Sequence, residues 1–562
     1  MLRAHICYIC SKNILMITFL NQFTKFEKWI LFLIFIIYSH NLFLDIMMID
    51  AAQYAGIAAQ MSETNSYLEI FEFKNDYLDK PPLLFWLSSV SIEIFGINNF
   101  AYKFPSFLFL LFSLYAVYRF ALLFYTPKIA KYALLILASS QAYFLITNDV
   151  RTDSLLTSCV IIAVWFFSEY FEKSKLQNLI FGSIFTALAM LAKGPIGLIA
   201  IMLPIGIQLL YFKKWNHIFN LRSILIFGII AVILIPMSYG LYTQFDLQPE
   251  KITNGIKGQK GLYFYYWLQS FGRITGENVW NNNTPWYFFI TSSLWDFFPW
   301  FLPLCVALWY KIKDLFMRNK LVPEIISLVG FVAIFSMLSL SKYKLPHYVF
   351  VTYPFGAILL GEYFANLKEK VWRNWCVFYN VLAVIILALL IVYPIFLFKE
   401  FSFWVLFCII LQLLMLIFFK KNRQNSLIQV ISLIVGLNFF FSFVFYPKLL
   451  TFQADSCAAK WAKENIINEP TLTYNVPLHS FNFYIKNPFT KSVNASQIRE
   501  ITSPFWLYVN HENWAEISNL NINITKKVTF YDYPITRLNL NFLTENKRTK
   551  ELSKSYLIKI EN

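Results

Sequence analysis

Long apolar stretches separated by short polar turns run through the chain from residue 27 to residue 446. A helix must supply roughly 20 apolar residues to cross about 30 Å of hydrocarbon. Stretches of that kind fall near 27–44, 105–125, 129–147, 154–171, 177–192, 195–212, 223–243, 286–309, 322–340, 348–365, 375–397, 402–419 and 427–446. About thirteen transmembrane helices are therefore predicted. The apolar segment 83–97 is short for a span and is read as a helix lying at the membrane interface.

The charges between these stretches set the orientation. With a cytoplasmic N-terminus, the inner loops carry Lys128 and Lys131, Lys173 and Lys175, then FKKWNHIFNLR at 212–222. They continue with KIKDLFMRNK at 311–320, LKEKVWR at 367–373 and KKNRQ at 420–424. Every second loop is basic, as the excess of Lys and Arg on the cytoplasmic side requires. A miscounted span would break the alternation downstream. The first 25 residues hold Arg3, Lys12 and Lys25 without a small-residue cleavage site, and are read as a cytoplasmic lead-in.

The opposite face collects residues 45–104, the turn at 148–153, the loop 244–285, SKYKLPHY at 341–348 and everything after about 447. A connection as long as 244–285 is more than a link, since loops above roughly 15 residues are usually functional. After Pro447 the pattern changes. A helix at 455–466 and short runs such as TLTYNV, FWLYVN and KVTFYDY predict a small outer α/β domain over 448–562. Residues 1–447 form the membrane domain, with 45–104 and 244–285 as its outer loops.

Composition agrees with the pattern. Of 562 residues, 58% are hydrophobic and 14% charged, and the mean hydropathy is +0.52. The lipid bilayer is the solvent of such a chain. The net charge of +16 lies on the inner loops, so it calls for no nucleic acid. Seven cysteines are scattered, most within apolar runs, where a buried thiol is the default. Cys7 and Cys10 have no second CxxC partner and do not make a zinc site. No internal repeat supports an inverted-repeat transporter.

Candidate chemistry gathers on the outer face. Asp50 follows the first stretch in MMIDAAQYAG. Asp79 and Lys80 precede Pro81-Pro82, which forbid a continuous helix and hold the chain extended there. An ammonium presented in this way suits a phosphate, although lysines at an interface also snorkel without a ligand. NDVRTDSLL places Arg151 and Asp153 together, a pairing that is usually structural. Lys193 sits in LAKGPIGL, where Gly194-Pro195 break the helix. Lys342, Tyr343 and Lys344 precede Pro346, and the long loop adds Arg273, whose guanidinium fork grips phosphate oxygens. Outward cations in breaker-defined turns run against the positive-inside trend, and a membrane-borne phosphate would account for them.

The order of D…Y after the first span, KPPLLFW, R-x-D, KGP, GEN, FPWFLP at 298–303 and KYKLP resembles the ArnT/protein-mannosyltransferase superfamily of GT-C glycosyltransferases. The likeness covers about residues 27–350, and thirteen spans with an outer C-terminal domain resemble the ArnT branch. The resemblance implies an inverting transfer of a sugar from a polyprenyl-phosphate carrier to lipid A or another acceptor, at the periplasmic face of the inner membrane. Asp50 then resembles the catalytic acid and Tyr54 the tyrosine that follows it. Lys80, Arg273, Tyr343 and Lys344 resemble the grip on the donor phosphate, with Arg151, Asp153 and Lys193 in support. Asp79 stands where that branch has a metal-associated glutamate and is the sole metal candidate. No cofactor is otherwise implied.

The chain departs from the family pattern at Ala51, where an acid is usual, at Gln53, where an arginine is usual, and near Ser270, where a histidine is expected. Two neighbouring readings are a protein O-mannosyltransferase-like enzyme and a lipid-linked sugar transporter or flippase. A transporter would place polar residues near mid-membrane in several helices, whereas here they cluster at one face. A structural scaffold gives no reason for the Lys–Pro turns.

Overall fold

The computed structural model describes residues 19–217, 220–277, 282, 284–317, 322–398, 402–418, 423–475, 478–487, 490–520 and 522–561. Every predicted span coincides with helix. Among the described residues seven helices are long and apolar enough to cross a membrane, and two bent pairs raise the number to nine. The remaining predicted positions are taken by the helices Lys25–Asn41, Ile196–Tyr211, Ile326–Ser339 and Phe403–Phe418. The protein is a polytopic helical membrane protein.

Two of the predicted spans are not straight. Segment 129–147 bends by 51° between Ser139 and Gln141. The Ser139 and Ser140 hydroxyls donate there to the Ile136 and Leu137 carbonyls, in competition with the helix ladder. Segment 286–309 turns by 117° between Asp296 and Phe301, where Pro299 has no N–H to continue a helix. Segment 286–309 is thus two helices at an angle rather than one straight helix.

Packing sorts the helices into centre and rim. The apolar window of Thr152–Lys173 is 89% buried inside the protein, against 28% for Leu221–Asp246 and 22% for Glu369–Ile395. The first helix belongs to the core, and the other two turn most of their surface to lipid. Helix Lys25–Asn41 starts at a capping box between Thr24 and Glu27. Its C-terminal end is held by the buried Lys103, whose Nζ donates to the Asn41 and Leu44 carbonyls at 3.0 and 2.8 Å. On the predicted inner side, Lys131 pairs with Glu27 at 3.1 Å and Lys173 with Glu169 at 2.8 Å. Arg3, Cys7, Cys10, Lys12 and the basic stretches 318–320 and 420–422 lie outside the described residues.

The predicted outer loops are largely ordered elements. Residues 45–104 contain helix Asp50–Thr64, a hairpin pairing Phe71–Glu72 with Asn75–Asp76, and helix Leu83–Phe95. Pro82 is the N-cap of that last helix with φ −80° and ψ −13°, so it begins a helix rather than extending the chain. Residues 244–285 hold a second hairpin, Ile252–Thr253 with Ile256–Lys257, and the short helix Phe271–Thr275.

After residue 453 comes helix Ala454–Asn465 and a five-stranded sheet. Its strands run Ser492–Val493, Thr471–Tyr474, Phe505–Val509, Ser553–Ile560, Ile524–Asp532 from edge to edge. The first three are parallel and the last two antiparallel. Alternation along Phe505–Val509 serves two cores. Phe505, Leu507 and Val509 pack in a cluster of the sheet and the short helices that cover it, whereas Trp506 and Tyr508 join the cluster of the membrane helices.

Candidate active site

Asp50 is the first residue of helix Asp50–Thr64 rather than part of an irregular loop, and its carboxylate faces the turn after the bent segment. Arg151 Nη1 donates to Asp50 Oδ2 at 2.5 Å, and Arg151 Nε donates to Asp149 Oδ2 at 2.8 Å. The expected Arg151–Asp153 pair is absent among the described contacts. Asp153, in the first turn of helix Thr152–Lys173, takes Lys193 and, at 3.6 Å, His347 Nε2. Burial pushes the Asp149 carboxyl up, with Arg151 opposing it. The two acids hold the Arg151 guanidinium firmly protonated against the cost of its own burial.

The second cluster surrounds Asp79. Its Oδ2 accepts from Lys80 Nζ at 2.8 Å and its Oδ1 from Arg273 Nη2 at 3.2 Å. Burial raises the Asp79 carboxyl, but Lys80 and Arg273 outweigh it and hold the group below its ordinary value. Arg273, on the last turn of helix Phe271–Thr275, also donates from Nη1 to the Tyr348 hydroxyl at 2.9 Å. Its guanidinium carbon lies 5.5 Å from the centre of the Tyr343 ring. Arg273 Nε and the neighbouring Ser270 hydroxyl are buried without a hydrogen-bond partner among the described residues.

A metal does not fit here. No group of three or more His, Cys, Asp or Glu side chains among the described residues could hold one, and both oxygens of Asp79 already accept from cations.

Two cavities meet at this cluster. A cleft of about 940 Å³ is polar, lined by Asp50, Tyr54, Glu72, Asp79, Asn254 and Tyr343 among others. A cavity of about 680 Å³ is apolar, with Leu156, Ile196, Ile199, Leu338 and Val351 in its wall. Lys80, Arg273 and Tyr348 line both. They form the partition between a water-like chamber and an oil-like one.

Lys193 stands at the apolar cavity, on Asp153 and 3.6 Å from the centre of the Tyr348 ring. The turn that places it needs Gly194, whose φ is +82°; a side chain there would also press on Ser270 Oγ at 3.3 Å. Lys344 departs from expectation. Its Nζ donates to the Thr284 carbonyl at 3.0 Å, and it lines neither cavity. Neighbours alternate sides along SKYKLP, so Tyr343 faces the cleft and Lys344 the long loop.

Sequence reasoning missed several residues in and around the two cavities. Glu72 accepts from Gln53 Nε2 at 2.7 Å and pairs with His479 Nε2 at 2.7 Å. His479 opens helix His479–Ile485 and stacks on Phe73 with ring centres 4.4 Å apart. Gln269 donates to the Asp79 carbonyl, and His347 lines the cleft beside Asp153. A histidine or glutamine lone in sequence carries no signal until its partner, hundreds of residues away, is known.

Residues 79–240 match a family model described as dolichyl-phosphate-mannose-protein mannosyltransferase. That range includes Lys80, Arg151, Asp153 and Lys193. The structure of ArnT from Cupriavidus metallidurans bound to undecaprenyl phosphate superposes with a TM-score of 0.72 at 15% identity, over 94% of this chain and 97% of that one.

The fold is that of ArnT.

Among curated relatives, an undecaprenyl phosphate-alpha-4-amino-4-deoxy-L-arabinose arabinosyl transferase of Wigglesworthia glossinidia brevipalpis is 25% identical over 62% of this chain and 61% of its own length. A protein of the same description from Proteus mirabilis is 24% identical over 64% of each chain. The match thus spans somewhat under two thirds of each relative. The ArnT-like fold accounts for the helical body and for the small sheet at its C-terminal end.

Proposed function

We propose that this protein is an inverting glycosyltransferase that moves a sugar from a polyprenyl-phosphate carrier to lipid A or another periplasmic acceptor. The observation that carries the reading is the partition of Lys80, Arg273 and Tyr348 between an apolar and a polar cavity. A polyprenyl-phosphate sugar has the same division: an apolar tail, an anionic link and a polyhydroxyl head. The tail suits the apolar cavity, the phosphate suits the two cations, and the sugar suits the cleft that holds Asp50. The unpartnered Arg273 Nε and Ser270 hydroxyl are donors that such a ligand could use.

In this reading the acceptor hydroxyl attacks the anomeric carbon from the side opposite the phosphate, and its proton passes to the Asp50 carboxylate. The bond from the anomeric carbon to the phosphate oxygen breaks, and polyprenyl phosphate leaves. Lys80 and Arg273 stabilise the charge that develops on it. Arg151 orients Asp50 by clamping it from the side of Asp149. For an acceptor phosphate, already anionic, Asp50 orients rather than deprotonates.

The alternating basic loops support a site at the periplasmic face of the inner membrane. The names of the curated relatives favour an amino-arabinose as the sugar, whereas the family model favours mannose and a protein acceptor. Mass spectrometry of lipid A and surface glycans with and without the protein separates the two. A glycan profile identical in both strains, together with no transfer by purified protein from undecaprenyl-phosphate sugars, would falsify the proposal.

A further inference from the structure

A third cleft, of about 770 Å³, lies between helix Ala454–Asn465, helix His479–Ile485 and the turn Ile97–Asn99 that leads into a membrane span. Its residues are separate from those of the candidate active site. The floor is built: the Tyr484 hydroxyl donates to Asn99 Oδ1 at 2.8 Å and accepts from the Ile46 amide at 2.7 Å. Asn99 in turn donates to Asp45 Oδ1 at 3.2 Å. Lys460 pairs with Asp45 and lies 4.7 Å from the centre of the Tyr484 ring.

The rim carries a different charge balance. Lys463 and Lys486 are both exposed there, and neither makes an ion pair among the described residues. Glu464 is the carboxylate among the lining residues, so three ammonium groups face it and Asp45. Partial burial and then the adjacent Lys486 ammonium depress the Lys463 ammonium below its ordinary value. Two cations held close at a rim are relieved by an anion.

The surroundings say which anion. Ile94, Phe95 and Phe43 are 69%, 47% and 64% exposed, and Phe100, next to Asn99, packs on Phe43 and Phe95 at 5.7 and 5.3 Å between ring centres. The cleft therefore opens beside an apolar surface at the level where a span begins. Lysines over an aromatic apolar patch at that level match a lipid, with its phosphate among the ammonium groups and its chains along the rings.

We propose that this cleft binds the phosphate headgroup of an anionic lipid from the leaflet on the active-site side. Its test is equilibrium binding and does not depend on sugar transfer. Full-length protein in detergent is titrated with phosphatidylglycerol, and bound lipid is counted by native mass spectrometry. Saturable binding should weaken at least tenfold in the double variant Lys463→Glu/Lys486→Glu and persist in Lys463→Arg/Lys486→Arg. Lys526→Glu, on the sheet away from the cleft, should leave it unchanged. Equal binding in wild type and the double glutamate variant overturns the site. Competition by inorganic phosphate at the same concentration as the lipid overturns the lipid as its source.

Discussion

Arg151 and Asp50, 101 residues apart, meet at 2.5 Å through Nη1 and Oδ2. This contact joins the start of helix Asp50–Thr64 to the turn after the bent segment, and it fixes where the Asp50 carboxylate points. If Asp50 takes a proton from an acceptor hydroxyl, Asp50→Asn should cost roughly a hundredfold or more in transfer rate. A smaller loss would mark an orienting role toward an acceptor phosphate. Wild-type turnover by this variant would remove Asp50 from the chemistry altogether.

The partition makes a prediction that distinguishes neighbours in sequence. Lys80→Ala and Arg273→Ala should each lower transfer by about a hundredfold, on the order of 3 kcal/mol of stabilisation lost. Lys344→Ala should change it little, because that ammonium is spent on the Thr284 carbonyl. Steady-state kinetics with an undecaprenyl-phosphate sugar measures all three. Equal losses in Lys344→Ala and Lys80→Ala would break the assignment.

Much of this arrangement was legible in the chain. Apolar length foretold a helix at every predicted span, because a segment that must satisfy its backbone in lipid has few alternatives. The convergence of Lys80 and Arg273 on one cluster was also legible from cations standing on the wrong face, whereas Tyr343 entered through the family resemblance. Pairing was not legible. Arg151 has an acid two residues on either side, Asp149 and Asp153, and spacing cannot say which one it takes. The turn at Pro299 was hidden inside an apolar run, where hydropathy is blind to direction. The Glu72–His479 contact spans 407 residues and joins two elements with no shared pattern. The outward turn of Lys344 away from both cavities was not legible either, because a charged residue looks the same in sequence whichever way it points.

Orientation rests on the alternating loops. An alkaline phosphatase reporter fused at Asn562 should be active, and a green fluorescent reporter at the same place dark, because the first folds only outside the cytoplasm and the second only within it. The reverse result would turn the sheet, and the cleft with it, to the other side of the membrane.

The last prediction concerns how helix His479–Ile485 reaches Glu72 in the wall of the cleft. His479 pairs with Glu72 at 2.7 Å, and its ring leaves so little room that a methyl group on Gly56 would meet Nδ1 at 2.7 Å. Gly56→Ala should therefore displace the same imidazole that His479→Ala removes. Each should lower stability by about 1 kcal/mol, the scale of a partly exposed pair, and the double variant should cost little more than either alone. The pH dependence has a definite sign. Burial raises the Glu72 carboxyl, but the hydrogen bonds from His479 and Gln53 outweigh it and hold the group below its ordinary value near 4.5. A depressed carboxyl stabilises the fold above its unfolded value, and the contribution fades as pH falls through the folded one. The stability gap between wild type and His479→Ala should thus be full above about pH 4.5 and close below it. Thermal unfolding of the purified protein across that range measures the gap. Simple additivity of Gly56→Ala and His479→Ala, or a gap that widens in acid, would disprove the coupling.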